Sequence, residues 1–193
     1  ETLKKISATA YFLPIVLLCL SFIIHFTYFG HPKEVVFDEV YFGKFSSEYI
    51  SGNYFFDQHP PLGKLMISAF GQIGGASTSQ SYKTIGTQYQ GNAYLWLRFL
   101  PTLAGTLLPI ILFFLCLSLK FSPKASFAVG LLTILENSLL VESRLILLDS
   151  LLVFFGFLGL LLYRYYKKSD RLVMFFLAGL SIAFAFSIKW TGL

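Results

Sequence analysis

The chain has 193 residues, of which 55% are hydrophobic and only 13% charged, with 22 Phe and a net charge of +5. A soluble domain carries roughly 25% charged residues, so an ordinary water-soluble globule is excluded and an integral membrane protein is expected. The basic residues are scattered or flank apolar runs without forming a stripe, which argues against a nucleic-acid partner and for topology signals and contacts with anionic membrane lipids.

The chain opens with Lys4 and Lys5 ahead of an apolar run. That run is too long for the h-region of a cleaved signal peptide, roughly 7–15 residues, so a retained span over 8–29 is predicted, with Pro14 tolerated inside it. Four more spans are predicted at 94–119, 125–140, 147–166 and 172–188, the third being short. Lys120 and Lys124, then Arg164, Lys167, Lys168 and Arg171, fall on the same side as Lys4 and Lys5, which makes that side cytoplasmic by the positive-inside rule. The long loop 30–92 is then extracytoplasmic, as are Glu142 to Asp149 and the Lys189 end. With no initiator Met and a final apolar run, the chain is expected to be the first part of a longer protein whose further spans lie downstream.

Within the loop, Phe42, Phe45, Tyr49 and Ile50 recur at helical spacing, and Leu62, Leu65, Met66, Ala69, Phe70 and Ile73 do so more clearly. Two short amphipathic helices on the membrane surface are predicted, the first broken at Gly52-Asn53 and the second opening at Pro60-Pro61. Gly74 to Asn92, rich in Gly, Ser, Thr and Gln, reads as a flexible loop. Cys19 and Cys116 lie in apolar runs without CxxC spacing and read as small buried hydrophobes.

Several residues are candidates for chemistry, each with a plainer alternative. Asp38 and Glu39 are either charge at a helix N-terminus or a general base near the membrane. Asp57 and His59 are either parts of a turn set by two prolines or a metal site, and the block they form is also a candidate for shaping the acceptor site; His25, His31 and His59 are the only histidines and none pairs at i,i+4, so no metal is expected. Arg98, Arg144 and Lys189 are cations at the extracytoplasmic membrane boundary. Snorkelling, pairing with Glu142 or Asp149, and interface anchoring beside Trp190 are their respective alternatives. Together they would suit the phosphate of a lipid-linked donor.

Five segments in order, FDEVYFGKF, YFFDQHPPLGK, RFLPTLAG, ESRLILLDS and SIKWTGL, resemble the protein O-mannosyltransferase family from about His31 to Leu193. The resemblance implies an all-α, multi-spanning GT-C fold. It also implies inverting transfer of mannose from dolichyl- or polyprenyl-phosphate mannose to Ser/Thr hydroxyls of proteins, without a metal or other cofactor. By that likeness Asp38 is the base on the acceptor hydroxyl and Glu39 helps place the acceptor. Arg98 and Lys189, with Arg144 as a less firmly matched third, hold the donor phosphate. The membrane is that of the endoplasmic reticulum or the bacterial plasma membrane, and family members pair as homo- or heterodimers. The competing expectations are a related GT-C transferase acting on a lipid or glycan acceptor, and a transporter or non-catalytic membrane protein, which the clustering of charge toward one face disfavours.

Overall fold

A computed structural model describes residues 8–192; Lys4 and Lys5 lie outside the described residues. Eight α-helices follow in order: α1 (Ala8–Phe26), α2 (Glu39–Ser51), α3 (Leu62–Ile73), α4 (Tyr94–Ser118), α5 (Pro123–Leu135), α6 (Asn137–Ser143), α7 (Asp149–Ser169) and α8 (Leu172–Ile188), closed by a 3-10 turn at Trp190–Gly192. α4 and α7 are each long and apolar enough to cross a membrane, and α5 with α6 makes a third crossing if the bent pair is one span. α1 and α8 are apolar but shorter. α8 is apolar all round, with Leu172, Val173 and Phe176 facing outward, a composition that lipid accommodates and water does not.

The third expected span is not one straight helix. Glu136 adopts an extended backbone and its carboxylate accepts hydrogen bonds from the amides of Ser138 and Leu139. It therefore ends α5 and N-caps α6, and the axis turns by 60°. The bend carries Ser143 and the segment after it toward the loop side of α4.

α4 is the central element, packing on α1, α3, α5, α6 and α7. Small residues and hydroxyls make the close approaches. A Cβ on Gly105 would sit 2.5 Å from Ser143 Cβ, so only a glycine lets α6 lie this close. Thr102 Oγ1 donates to Ser143 O at 3.0 Å, and Ser21 Oγ of α1 donates to Thr106 O at 2.8 Å. These bonds tie α6 and α1 to α4 through buried hydroxyls.

Helices stand at both expected places in the loop, as α2 and α3. α2 ends where Gly52 takes a left-handed conformation, φ 72°, and its amide bonds back to the last turn. The segment Gly74 to Asn92, expected as flexible, is instead laid against the start of the loop. Val35 N donates to Thr87 O, Gly86 N to Val35 O and Tyr89 N to Lys33 O, at 2.8–3.0 Å. Tyr82 is buried from this segment against α2, directly over Gly43, where a Cβ would lie 2.2 Å from the ring.

Candidate active site

Glu39, in the first turn of α2, is completely buried, which an ionised carboxylate tolerates only with full compensation. It is compensated by five donors. Arg98 Nε and Nη2 bind its two oxygens at 2.8 Å each, a fork-to-fork pair. Tyr89 Oη donates at 2.9 Å, Val36 N at 3.1 Å and Ile146 N at 3.0 Å. One side chain thus ties together the start of the loop, its end, α4 and the segment before α7.

Arg98 is equally buried. Its remaining donors go to carbonyls, Nη1 to Pro32 O at 2.8 Å and Nη2 also to Glu34 O at 3.2 Å. The guanidinium lies 5.2 Å from the ring centroids of both Tyr89 and Tyr94, which stack on each other at 4.3 Å. Burial and the Glu39 carboxylate push the phenols of Tyr82 and Tyr89 well above the ordinary tyrosine value, so Tyr89 remains a donor to Glu39. Snorkelling is not what Arg98 does here: its charge is spent inside the protein.

Asp38 presents the opposite environment. Its carbonyl accepts from the amides of Tyr41 and Phe42, starting α2, but its carboxylate caps nothing and meets no cation among the described residues. It is half-buried and unengaged. Phe37, just before it, is held at φ 50°, a left-handed conformation that is strained for a bulky residue. The clamps on Val36 and Glu39 on either side maintain that strain and fix where the Asp38 carboxylate points.

Lys189 follows α8 in extended backbone, and its ammonium bridges both oxygens of Asp149, at 2.7 and 2.9 Å, at the first residue of α7. This pair is partly open, with side-chain exposures of 17% and 33%. Beside it, Trp190 Nε1 donates to Gln58 O at 2.6 Å, which fastens the strap before α3 to the segment carrying Lys189. The strap is also tied from within, because the almost fully buried Lys64 pairs with Asp57 and donates to His59 O at 2.8 Å. His59 Nδ1 is buried without a hydrogen-bond partner. Asp57 and His59 therefore shape the strap that abuts the Lys189 segment.

Arg144, the residue closing α6, directs Nη2 to Ile24 O and Nε to His25 O at 3.2 Å. It caps the carbonyl end of α1, where a cation is also favoured by the helix dipole. It pairs with neither Glu142 nor Asp149. Arg144 is also among the residues lining a cavity of about 660 Å³, with His31, Val36, Phe37, Glu142 and Leu147; Phe37 is the chain neighbour of Asp38.

The structure brings together Glu39 with Arg98, and the Asp57 and His59 strap with the Lys189 segment. It does not gather Arg98, Arg144 and Lys189 around one point, since each engages a different partner. Tyr89, Tyr94 and Lys64, and the amides of Val36 and Ile146, were not singled out by sequence reasoning, and Asp149 entered it only as an alternative partner of Arg144. Lys64 shares its segment with Asp57, and Asp149 and Lys189 stand in two others, so a charge-pairing search within and between those segments would have raised both pairs. The tyrosines had no such signal. Among the described residues, no group of three or more His, Cys, Asp or Glu lies close enough to form a ligand set.

Comparison with known proteins accords with this geometry. The profile of the family described as dolichyl-phosphate-mannose-protein mannosyltransferase matches residues 15–193. Protein O-mannosyl-transferase 1 of Danio rerio is 36% identical over 176 residues, covering 88% of this chain and 24% of its own length. Dolichyl-phosphate-mannose–protein mannosyltransferase 1 of Candida albicans is 33% identical over 198 residues, covering 98% of this chain and 22% of its own. The fold is that of a solved S. cerevisiae protein O-mannosyltransferase Pmt1-Pmt2 complex bound to the sugar donor, with TM-score 0.91, 28% identity, and coverage of 98% of this chain and 27% of that one. The chain spans about a quarter of the length of these relatives. With the five segments brought to one end of a shared helical scaffold, and the match running from the first span to the last residue, the chain belongs to the dolichyl-phosphate-mannose-protein mannosyltransferase family.

Proposed function

We propose that the protein containing this chain transfers mannose, with inversion, from dolichyl-phosphate mannose to Ser or Thr hydroxyls of proteins, on the extracytoplasmic face of a membrane. The observation that carries the reading is the contrast within one acidic pair. Glu39 is held by five donors, whereas the Asp38 carboxylate is free of any hydrogen bond from the described residues. A general base must be fixed in place yet unoccupied. Asp38 accepts the proton of the acceptor hydroxyl as its oxygen bonds to the anomeric carbon. The bond from that carbon to the phosphate oxygen breaks, and dolichyl phosphate leaves with the bonding electrons. Glu39 acts as a positioning residue through the backbone of α2, and Arg98 acts through Glu39.

The leaving phosphate requires stabilising charge at the membrane boundary. Lys189, partly open beside Asp149, and Arg144, in the lining of the cavity that Phe37 borders, are the cations assigned to supply it. Arg98, assigned to the phosphate by family likeness, is closed off by its own contacts and takes the supporting role instead. The relatives' printed names specify the dolichyl-phosphate-linked sugar and the protein acceptor, and the solved relative is a two-subunit complex, so pairing with a second family member is part of the proposal.

The test is transfer of labelled mannose from dolichyl-phosphate mannose to a Ser/Thr-rich peptide by the full-length protein in membranes, with Asp38→Asn alongside. Loss of a general base should lower turnover about 100- to 10,000-fold while donor binding is retained. Undiminished turnover in Asp38→Asn would remove Asp38 as the base. No labelling of peptide by wild type would remove the reaction itself.

A further inference from the structure

The end of the bundle remote from Asp38 carries a second built feature. Lys120, Arg164, Lys167 and Lys168, with Leu117 and Ser118, line a cavity of about 360 Å³ between the ends of α4 and α7. Arg98 and Ser118 are 20 residues apart on α4, a rise of about 30 Å, which matches the hydrocarbon thickness of a bilayer. The cavity therefore sits at the opposite interface from the candidate active site.

Its cations are placed by the backbone. α4 closes with Lys120 in a left-handed conformation, φ 70°, as Lys120 N bonds to Leu117 O and Phe121 N to Cys116 O. Glycine is the ordinary residue at such a helix end, and the turn sets the lysine beside the cavity. Arg164 Nη2 donates to Ser118 O at 3.0 Å, pinning α7 to the end of α4. Lys167 and Lys168 follow in the last turn of α7. Among the described residues, no carboxylate lies within ion-pair distance of any of the four. Asp170, the nearest acid in sequence, closes α7 and is not in the cavity lining.

The preference for basic residues on the cytoplasmic side, and for cations at helix C-termini, explains why these charges are at this end. Neither explains why four of them converge on one concavity, where like charges repel unless an anion intervenes. Leu119, Phe121 and Tyr163, exposed by 47%, 53% and 44%, neighbour the lining residues in the chain and add apolar and interfacial surface. We propose that this cavity binds the phosphate-bearing headgroup of an anionic membrane lipid, independently of the transfer reaction. The guanidinium supplies a planar fork for phosphate oxygens, and the lysines supply point charge.

The full-length protein would be reconstituted in nanodiscs of phosphatidylcholine with a minor fraction of phosphatidylinositol 4-phosphate, and the retained lipid counted by native mass spectrometry. Lys167→Gln/Lys168→Gln removes two charges that bond to nothing else among the described residues, so folding is spared. At about fivefold per charge, retention should weaken on the order of tenfold or more. Lys44→Gln/Lys83→Gln, on the far side of the bilayer, should retain wild-type lipid. Equal retention in all three proteins would overturn the site. Inorganic phosphate distinguishes the sources of the anion: displacement of the lipid by inorganic phosphate as readily as by soluble inositol phosphate would overturn the headgroup assignment. Arg164→Lys keeps the charge and loses the fork; lipid retention below that of wild type, with an unchanged unfolding temperature, is the expected result.

Discussion

Of the three carboxylate–cation pairs that the described residues form at the loop end of this bundle, two are built in opposite ways. Glu39–Arg98 is sealed, with both side chains fully buried and their polar atoms partnered within the protein. Asp149–Lys189 is partly open and consists of one ammonium against one carboxylate. A sealed pair acts as a fastener, because removing either member strands a charge in a medium that cannot solvate it. An open pair can exchange its carboxylate for another anion at small cost. The two sites thus divide structure from exchange, although both looked alike as charges near a membrane boundary.

The sharpest way to break this contrast is at the sealed pair. Arg98→Met or Glu39→Gln should destabilise the folded protein by about 3–5 kcal/mol, read as a lowered unfolding temperature in detergent, with activity lost in parallel. If either variant kept wild-type stability and changed only donor KM, Arg98 would return to the phosphate. The open pair should behave in the reverse manner. Lys189→Gln should raise the apparent donor KM about tenfold, with a stability change below about 1 kcal/mol. Gly43→Ala, which puts a methyl against the Tyr82 ring, should cost about 1–3 kcal/mol if the late loop is part of the fastener. Its measurement is protease sensitivity of the segment 74–92. The smallest effect expected is from Tyr89→Phe, about 1 kcal/mol for one hydrogen bond to a carboxylate that keeps four others. A loss as large as that of Glu39→Gln would mean that the tyrosine, rather than the arginine, holds the pair together.

Much of the scaffold was legible because long apolar runs and helical periodicity act locally. α2, with its stop at Gly52, and α3, opening after Pro61, follow from spacing and backbone preference alone. The bend at Glu136 was not legible, because an acid near the end of an apolar run reads equally as a span boundary or a cap. The late loop was misread for a related reason. Its Gly, Ser, Thr and Gln content describes the chain between its anchors, while Tyr82 and Tyr89 are the anchors. At the site, the sequence singles out Asp38 and Glu39 together without separating their environments. Asp38 and Glu39 are neighbours of one charge type, and only the partner 59 positions later, Arg98, distinguishes them.

That separation has a consequence for how the protein is made. Glu39 meets Val36 within the same turn of chain, but its other partners lie 50, 59 and 107 positions further on, at Tyr89, Arg98 and Ile146. During synthesis the carboxylate must stay in water until α4 is threaded, and its last donor arrives only after α5 and α6 have entered the membrane. Insertion of α4, α5 and α6 is therefore coupled to completion of the contacts around Glu39. An assembly factor or crosslinking probe should find Asp38 and Glu39 accessible in chains arrested before residue 146 and shielded at Glu39 alone in longer ones.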